Sequence, residues 1–110
     1  MLTLLQIDFP FNGPFAEKMH EAMQDLAESI IQEPGLIWKI WTENADTQEA
    51  GGVYLFTDAT AAQHYLDMHS ARLTDSGVFG IRAKLFSVNG PLSQICKGPL
   101  ACPPANSIKS

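Results

Sequence analysis

Apolar residues in this chain repeat at every second position, then at helical spacing, then in two more alternating stretches, then at helical spacing again, and finally in alternation. That order of periods restricts the fold more than any single residue does. Leu2 to Phe9 alternates, with Thr3, Leu5, Ile7 and Phe9 on one side and Leu2, Leu4, Gln6 and Asp8 on the other. The turn FPFNGP follows, and Pro14 suits the first position of a helix. Phe15, Met19, Met23, Leu26 and Ile30 then share one side of a helix predicted from Phe15 to Ile30, opposite Glu17, Glu21, Asp25 and Glu28. EPG at 33 to 35 stops it, strand two runs from Leu36 to Asn44, and the turn-rich NADTQE predicts a hairpin into strand three. There Gly51 and Gly52 signal either a bulge or a close approach by another backbone or a ligand. Thr57 or Asp58 can cap a second helix, Ala59 to Leu73, and strand four covers Phe79 to Val88 before a Pro-rich tail. The resulting β-α-β-β-α-β order is ferredoxin-like: an α+β domain with a four-stranded antiparallel sheet and two helices on one face.

Two helices leave the other sheet face open. On strand two, Leu36, Trp38 and Ile40 form the cleaner apolar set and are expected under the helices, which sends Ile37, Lys39, Trp41 and Glu43 to the open side. Strand four adds Arg82, Lys84, Phe86 and Val88 there. Burying one large apolar side chain stabilises by roughly 1.5 to 3 kcal/mol, so such a patch favours a cover. Charged residues make up 17% of the chain against a usual quarter or so, which also points to surface withheld from water. The expectation is a homodimer, sheet against sheet, with Trp41, Phe86 and Val88 in the interface.

A formal charge of −5 without a Lys or Arg cluster opposes a nucleic-acid partner, since that binding rests on neutralising phosphates. No stretch is long and apolar enough to cross a membrane, and the N-terminus lacks the basic start of a signal peptide, so a cytoplasmic protein is expected. Cys96 and Cys102 flank KGPLA and read as free thiols in the tail. His64 and His69 splay around the helix and His20 lies on the polar side of the first helix, so no metal site is expected. Phosphate loops, nucleophile elbows and CxxC motifs are absent from the sequence, and no cofactor is expected.

The chemistry-bearing residues gather on the second helix. Tyr65, His69 and Arg72 share one side of it and point toward the sheet. A histidine there is a candidate base for proton transfer, with a core histidine bonded to a backbone carbonyl as the alternative. Arg72 is a candidate anchor for an anionic oxygen, or else a salt-bridge partner. Trp38 would supply a flat wall for an aromatic ligand, Tyr54 and Tyr65 would offer hydroxyls, and Asn12 could reach the pocket mouth.

LLQIDFPFNGPF, QEPGLIWKIWTEN, EAGGVYLFTD, HSARL and VNGPLSQI together resemble the YdhR monooxygenase family, over nearly the whole chain to about Ile95. The resemblance implies a domain over 1–95 with a separate tail over 96–110, assembled as a dimeric α+β barrel. It also implies kinship with antibiotic-biosynthesis-type monooxygenases, which oxidise phenolic aromatics with dioxygen and use neither metal nor flavin. In that setting His69 and Arg72 would be catalytic, and Trp38, Tyr54, Tyr65 and Asn12 would hold the substrate. Two alternatives stay open: a non-catalytic dimer that binds a small ligand or serves a stress response, and a haem-degrading enzyme in which His69 ligates iron.

Overall fold

The computed structural model describes residues 1–100; Cys102 and the tail beyond residue 100 lie outside the described residues. The first strand, β1 (Thr3–Pro10), leads into α1 (Ala16–Ala22) and α2 (Gln24–Ile30). These two short helices replace the single helix predicted over the same stretch. They meet at Met23, whose backbone leaves the helical region (φ −106°, ψ 9°) while its N–H still donates to the Met19 carbonyl. The hairpin β2 (Leu36–Asn44) and β3 (Glu49–Phe56) follows, then α3 (Ala59–Asp75), β4 (Arg82–Ser87) and α4 (Gly90–Ile95). Asp58 caps α3, its side chain accepting from the Ala61 N–H at 2.8 Å.

All pairings are antiparallel, in the order β2-β3-β1-β4. This is the ferredoxin-like arrangement. The core lies between the sheet and the helices: Leu5, Ile7, Tyr54, Phe56, Ala62 and Tyr65 are each 2% exposed or less. Gly51 answers the question its pair raised, because a Cβ there would stand 1.9 Å from the Ile7 carbonyl oxygen. It marks a close backbone approach between β1 and β3, not a bulge.

The bulge is on the facing strand. Leu36 pairs with Phe56 but Trp38 pairs with Leu55, so Ile37 is an extra residue in β2. One inserted residue sends every later side chain to the other face. Lys39 and Trp41 therefore lie opposite Tyr54 and Gly52 on the helix side, while Trp38 and Ile40 lie opposite Leu55 and Val53 on the open side. This corrects two expectations: Trp38 is not under the helices, and Trp41 does not belong to the open face.

That open face is also partly covered by the chain itself. Leu55 is fully buried although it points away from the helices, and beside it the Trp38 Nε1–H donates to the Pro99 carbonyl at 2.7 Å. The segment after α4 thus lies against this corner of the sheet. Asn89 caps α4 through its side chain, which accepts from the Leu92 N–H, and a proline stands in the first turn. Phe86 remains on the open side, 45% exposed, and Val88 follows the end of β4 with its N–H donating to the Leu2 carbonyl. At the far end Arg82 pairs with Asp8 and Glu49, tying the start of β4 to β1 and β3.

Candidate functional site

Between the sheet and the helices lies a cavity of about 320 Å³, walled by Phe9, Phe11, Met19, Met23, Trp41 and Leu73 among others. Among the described residues its ionisable lining groups are Lys39, Tyr54 and His69, and none of them brings a carboxylate to it. Apolar walls with a few convergent polar groups are the usual form of a ligand site. Trp41, Met19 and Met23 also border a wider surface groove of about 430 Å³ between the α1–α2 pair and the end of β2. The Glu43 carboxylate closes the start of that groove by accepting from the Ala16 N–H at 2.7 Å.

Helical spacing on α3 brings Ala62, Tyr65 and His69 into the core, and all three are buried. Tyr65 stacks on the His69 ring at 5.0 Å between centroids, and its hydroxyl donates to the Tyr54 hydroxyl at 3.3 Å. Burial pushes both phenols up, so they stay protonated.

Arg72, one turn beyond His69, donates its Nε–H to His69 Nδ1 at 3.2 Å, with Nη2 2.9 Å from the same nitrogen. A guanidinium can only donate, so Nδ1 must be the acceptor and the neutral ring must carry its hydrogen on Nε2. Burial, the Arg72 charge and Lys39 together push the His69 pKa down to about 4. The partner of this histidine is thus a guanidinium and not a backbone carbonyl. Arg72 itself does not line the cavity.

Lys39 completes the group. Its Nζ lies 3.5 Å from the centroid of the Trp41 ring and 4.7 Å from that of Tyr54. Burial, reinforced by Arg72, lowers its pKa to about 7. The two ring faces give back part of the charge's cost, a cation over an aromatic face being worth about 0.5 to 2 kcal/mol. Gly52 makes room for this side chain: a Cβ there would stand 2.6 Å from Lys39 Cε.

His69, Tyr54 and Tyr65 thus meet at one place, with Arg72 beside them. Trp38 is absent from it, and Trp41 forms the flat wall that had been expected of Trp38. Asn12 is exposed in the turn before α1 and does not line the cavity. Sequence reasoning missed Lys39, which it had placed on the open face. A charge between two tryptophans in WKIW was the available signal, since a lysine on an apolar strand either escapes to water or has a task.

Helices over a ferredoxin-like sheet with an aromatic-walled cavity between them make up a small α+β domain. The family described as "Putative mono-oxygenase ydhR" matches residues 4–99, and the chain belongs to it. No curated protein matches the chain. Among solved structures it is similar to a mutant of SnoaB, a cofactor-independent oxygenase from Streptomyces nogalater, with a TM-score of 0.57, 15% identity, and 80% of this chain and 93% of that one covered. It is also similar to a monooxygenase from the gene ActVA-Orf6 of Streptomyces coelicolor in complex with Nanaomycin D, with a TM-score of 0.56, 20% identity and coverage of 80% and 88%. A third is Rv0793 from Mycobacterium tuberculosis, with a TM-score of 0.54, 16% identity and coverage of 80% and 95%. At these identities the likeness is one of fold. Among the described residues no helix is long and apolar enough to cross a membrane.

Proposed function

We propose that this chain is a monooxygenase that oxidises a small or polycyclic phenolic aromatic with dioxygen, without metal or flavin. The observation that carries the reading is the lining of one cavity: aromatic and thioether walls around Lys39 and His69, with no carboxylate among the described residues. Membership of the family and the fold shared with a cofactor-independent oxygenase support it.

An electron-rich phenol that gives up a proton becomes an enolate-like anion able to pass electrons to dioxygen itself. For a methylene flanked by rings the overall change is R₂CH₂ + O₂ → R₂C=O + H₂O. One oxygen atom becomes the carbonyl, the other leaves as water with both hydrogens, and the substrate supplies all the electrons. The chain then has three tasks: to hold the ring flat, to receive a proton and to stabilise a negative oxygen. Trp41 and the surrounding apolar side chains serve the first, and the basic groups serve the other two.

The functional unit in this reading is a homodimer paired through the open sheet face. Phe86 and Val88 contribute as expected from sequence, and Ile40, 56% exposed, takes the place of Trp41. β4 supports the pairing because Leu85 and Phe86, on its two sides, are both exposed, so the helices of one chain do not finish covering it. Light scattering at micromolar concentration should give twice the chain mass, and a monomer there rules the pairing out.

Dioxygen uptake tests the reaction. Anthrone-type and hydroquinone substrates should be consumed faster than in buffer, one dioxygen per substrate, with one labelled oxygen atom in the product. Binding across such a panel with no uptake above buffer would make the protein a ligand-binding module instead.

A further inference from the structure

Lys39 and His69 face the same cavity but differ in what each can do with a proton. His69 has its Nδ1 lone pair engaged by Arg72, which leaves Nε2–H as the one ring donor available to the cavity. With its pKa near 4 it is a weak acceptor for the proton of a phenol, whose pKa is about 10. Lys39 is placed differently. Its amine lies against Trp41 and Tyr54, and among the described residues it has no salt-bridge partner. The titratable groups that face it are His69 and Arg72 from α3 and Tyr54 from β3, while α1 and α2 bring Met19, Met23 and Leu26. Among the described residues no carboxylate lines the cavity to oppose these bases. A neutral amine is the form that such a setting favours above about pH 7.

We propose that Lys39 accepts the substrate's phenolic proton, and that His69, held in its Nε2–H form by Arg72, donates a hydrogen bond to the oxyanion left behind. The proposal takes its substrate class from the oxygenase reading. The step balances as ArOH + Lys39–NH₂ → ArO⁻ + Lys39–NH₃⁺, with only the O–H bond broken. The phenolate then lies between the new ammonium and the His69 Nε2–H, supplying a negative charge that no described residue brings to the cavity. Lys39 and His69 would be catalytic residues, and Arg72 a positioning residue that sets the tautomer of His69.

Binding of 2-naphthol tests this without any oxygen chemistry. Free in water at about pH 8 it is a neutral phenol, and its anion has a distinct absorption band. Bound to the wild-type protein it should show the anion band, while calorimetry in buffers of different ionisation enthalpy finds no net proton released, because the proton has moved to Lys39. Lys39→Arg keeps the charge but cannot accept, so it should release about one proton per naphtholate formed. Lys39→Met should bind the neutral phenol only. An anion band that survives in Lys39→Met, a proton released by the wild type, or no naphthol binding at all each overturns the proposal. For Arg72→Leu, ¹⁵N shifts of His69 should move away from a pure Nε2–H form, and unchanged shifts overturn the positioning role. Naphtholate formed by a protein that consumes no dioxygen with any anthrone would retire the oxygenase reading and leave the role of Lys39 standing.

Discussion

Trp38 and Trp41 stand three positions apart on β2 and serve opposite faces of the sheet. Trp41 lies under the helices, where side chains from α1, α2, α3 and β3 close a cavity around it. Trp38 lies on the open side, its indole N–H held by the Pro99 carbonyl and its neighbour Leu55 fully buried. The same residue type is a cavity wall in one place and an anchor for the segment after α4 in the other. What separates the two is the supply of neighbours: the helix side brings basic groups together where water is scarce, and the open side has only a short terminal segment and, in our reading, a second copy.

The largest effects should come from the interiors of the two faces. Phe56, fully buried beneath the helices, should cost about 3 to 5 kcal/mol on replacement by alanine, as buried phenylalanines do. Phe86→Ala on the open side should cost much less of the subunit's own stability in urea unfolding and act instead on the subunit equilibrium. Equal costs would mean that the two faces are not distinct.

Exchanging the two tryptophans sharpens the contrast next. Trp41→Ala should weaken naphthol binding by about 10-fold or more, since losing one flat aromatic contact is worth about 0.5 to 1.5 kcal/mol beyond lost area. Trp38→Phe should leave that affinity unchanged and remove only a hydrogen bond, worth about 0.5 to 1.5 kcal/mol of stability. Affinity lost in Trp38→Phe would move the site to the other face.

Acid–base linkage gives a smaller, signed effect confined to the helix side. The folded pKa of Lys39, about 7, lies below the ordinary 10.5, so between those values the unfolded chain binds more protons and stability rises with pH. For His69 the same sign applies between about 4 and the ordinary 6.5. Melting temperature should therefore climb from pH 7 toward pH 10 in the wild type and be flatter over that window in Lys39→Met. A slope unchanged by the substitution would mean that Lys39 is not buried as described.

Gly52→Ala should have the smallest effect on stability, because the closest clash of the new Cβ is with the flexible stem of Lys39 at 2.6 Å, the Tyr54 ring and the Ile40 carbonyl at 3.2 and 3.3 Å having to give only slightly. The amine should be pushed from its seat over Trp41, seen as a loss of the naphtholate band with only a small fall in melting temperature. A band that persists would show that the lysine has another route to the same place.

Much of this layout was legible before any coordinates. Thr3, Leu5, Ile7 and Phe9 alternate because one side of β1 is dry, and all four are buried. Tyr65, His69 and Arg72 were placed together by helical spacing, which depends on local geometry alone. The short α4 went unread although Asn89, Gly90 and Pro91 offer a cap and a first-turn proline, because a helix of six residues is too short to show an apolar period. The gap between α1 and α2 at Met23 was equally silent, since the apolar side runs through it unbroken.

Local signals settled the order and type of the four strands and of the helical stretches between them, and the inward side of β1 and α3, because caps, turns and repeat lengths act within a few residues. They could not settle which way Trp38, Lys39 and Trp41 face. Both halves of β2 are apolar enough to be buried, and the choice between them came only when Ile37 was left over in the pairing with β3. That single extra residue carried a lysine into the cavity, and no count made along one strand could have found it.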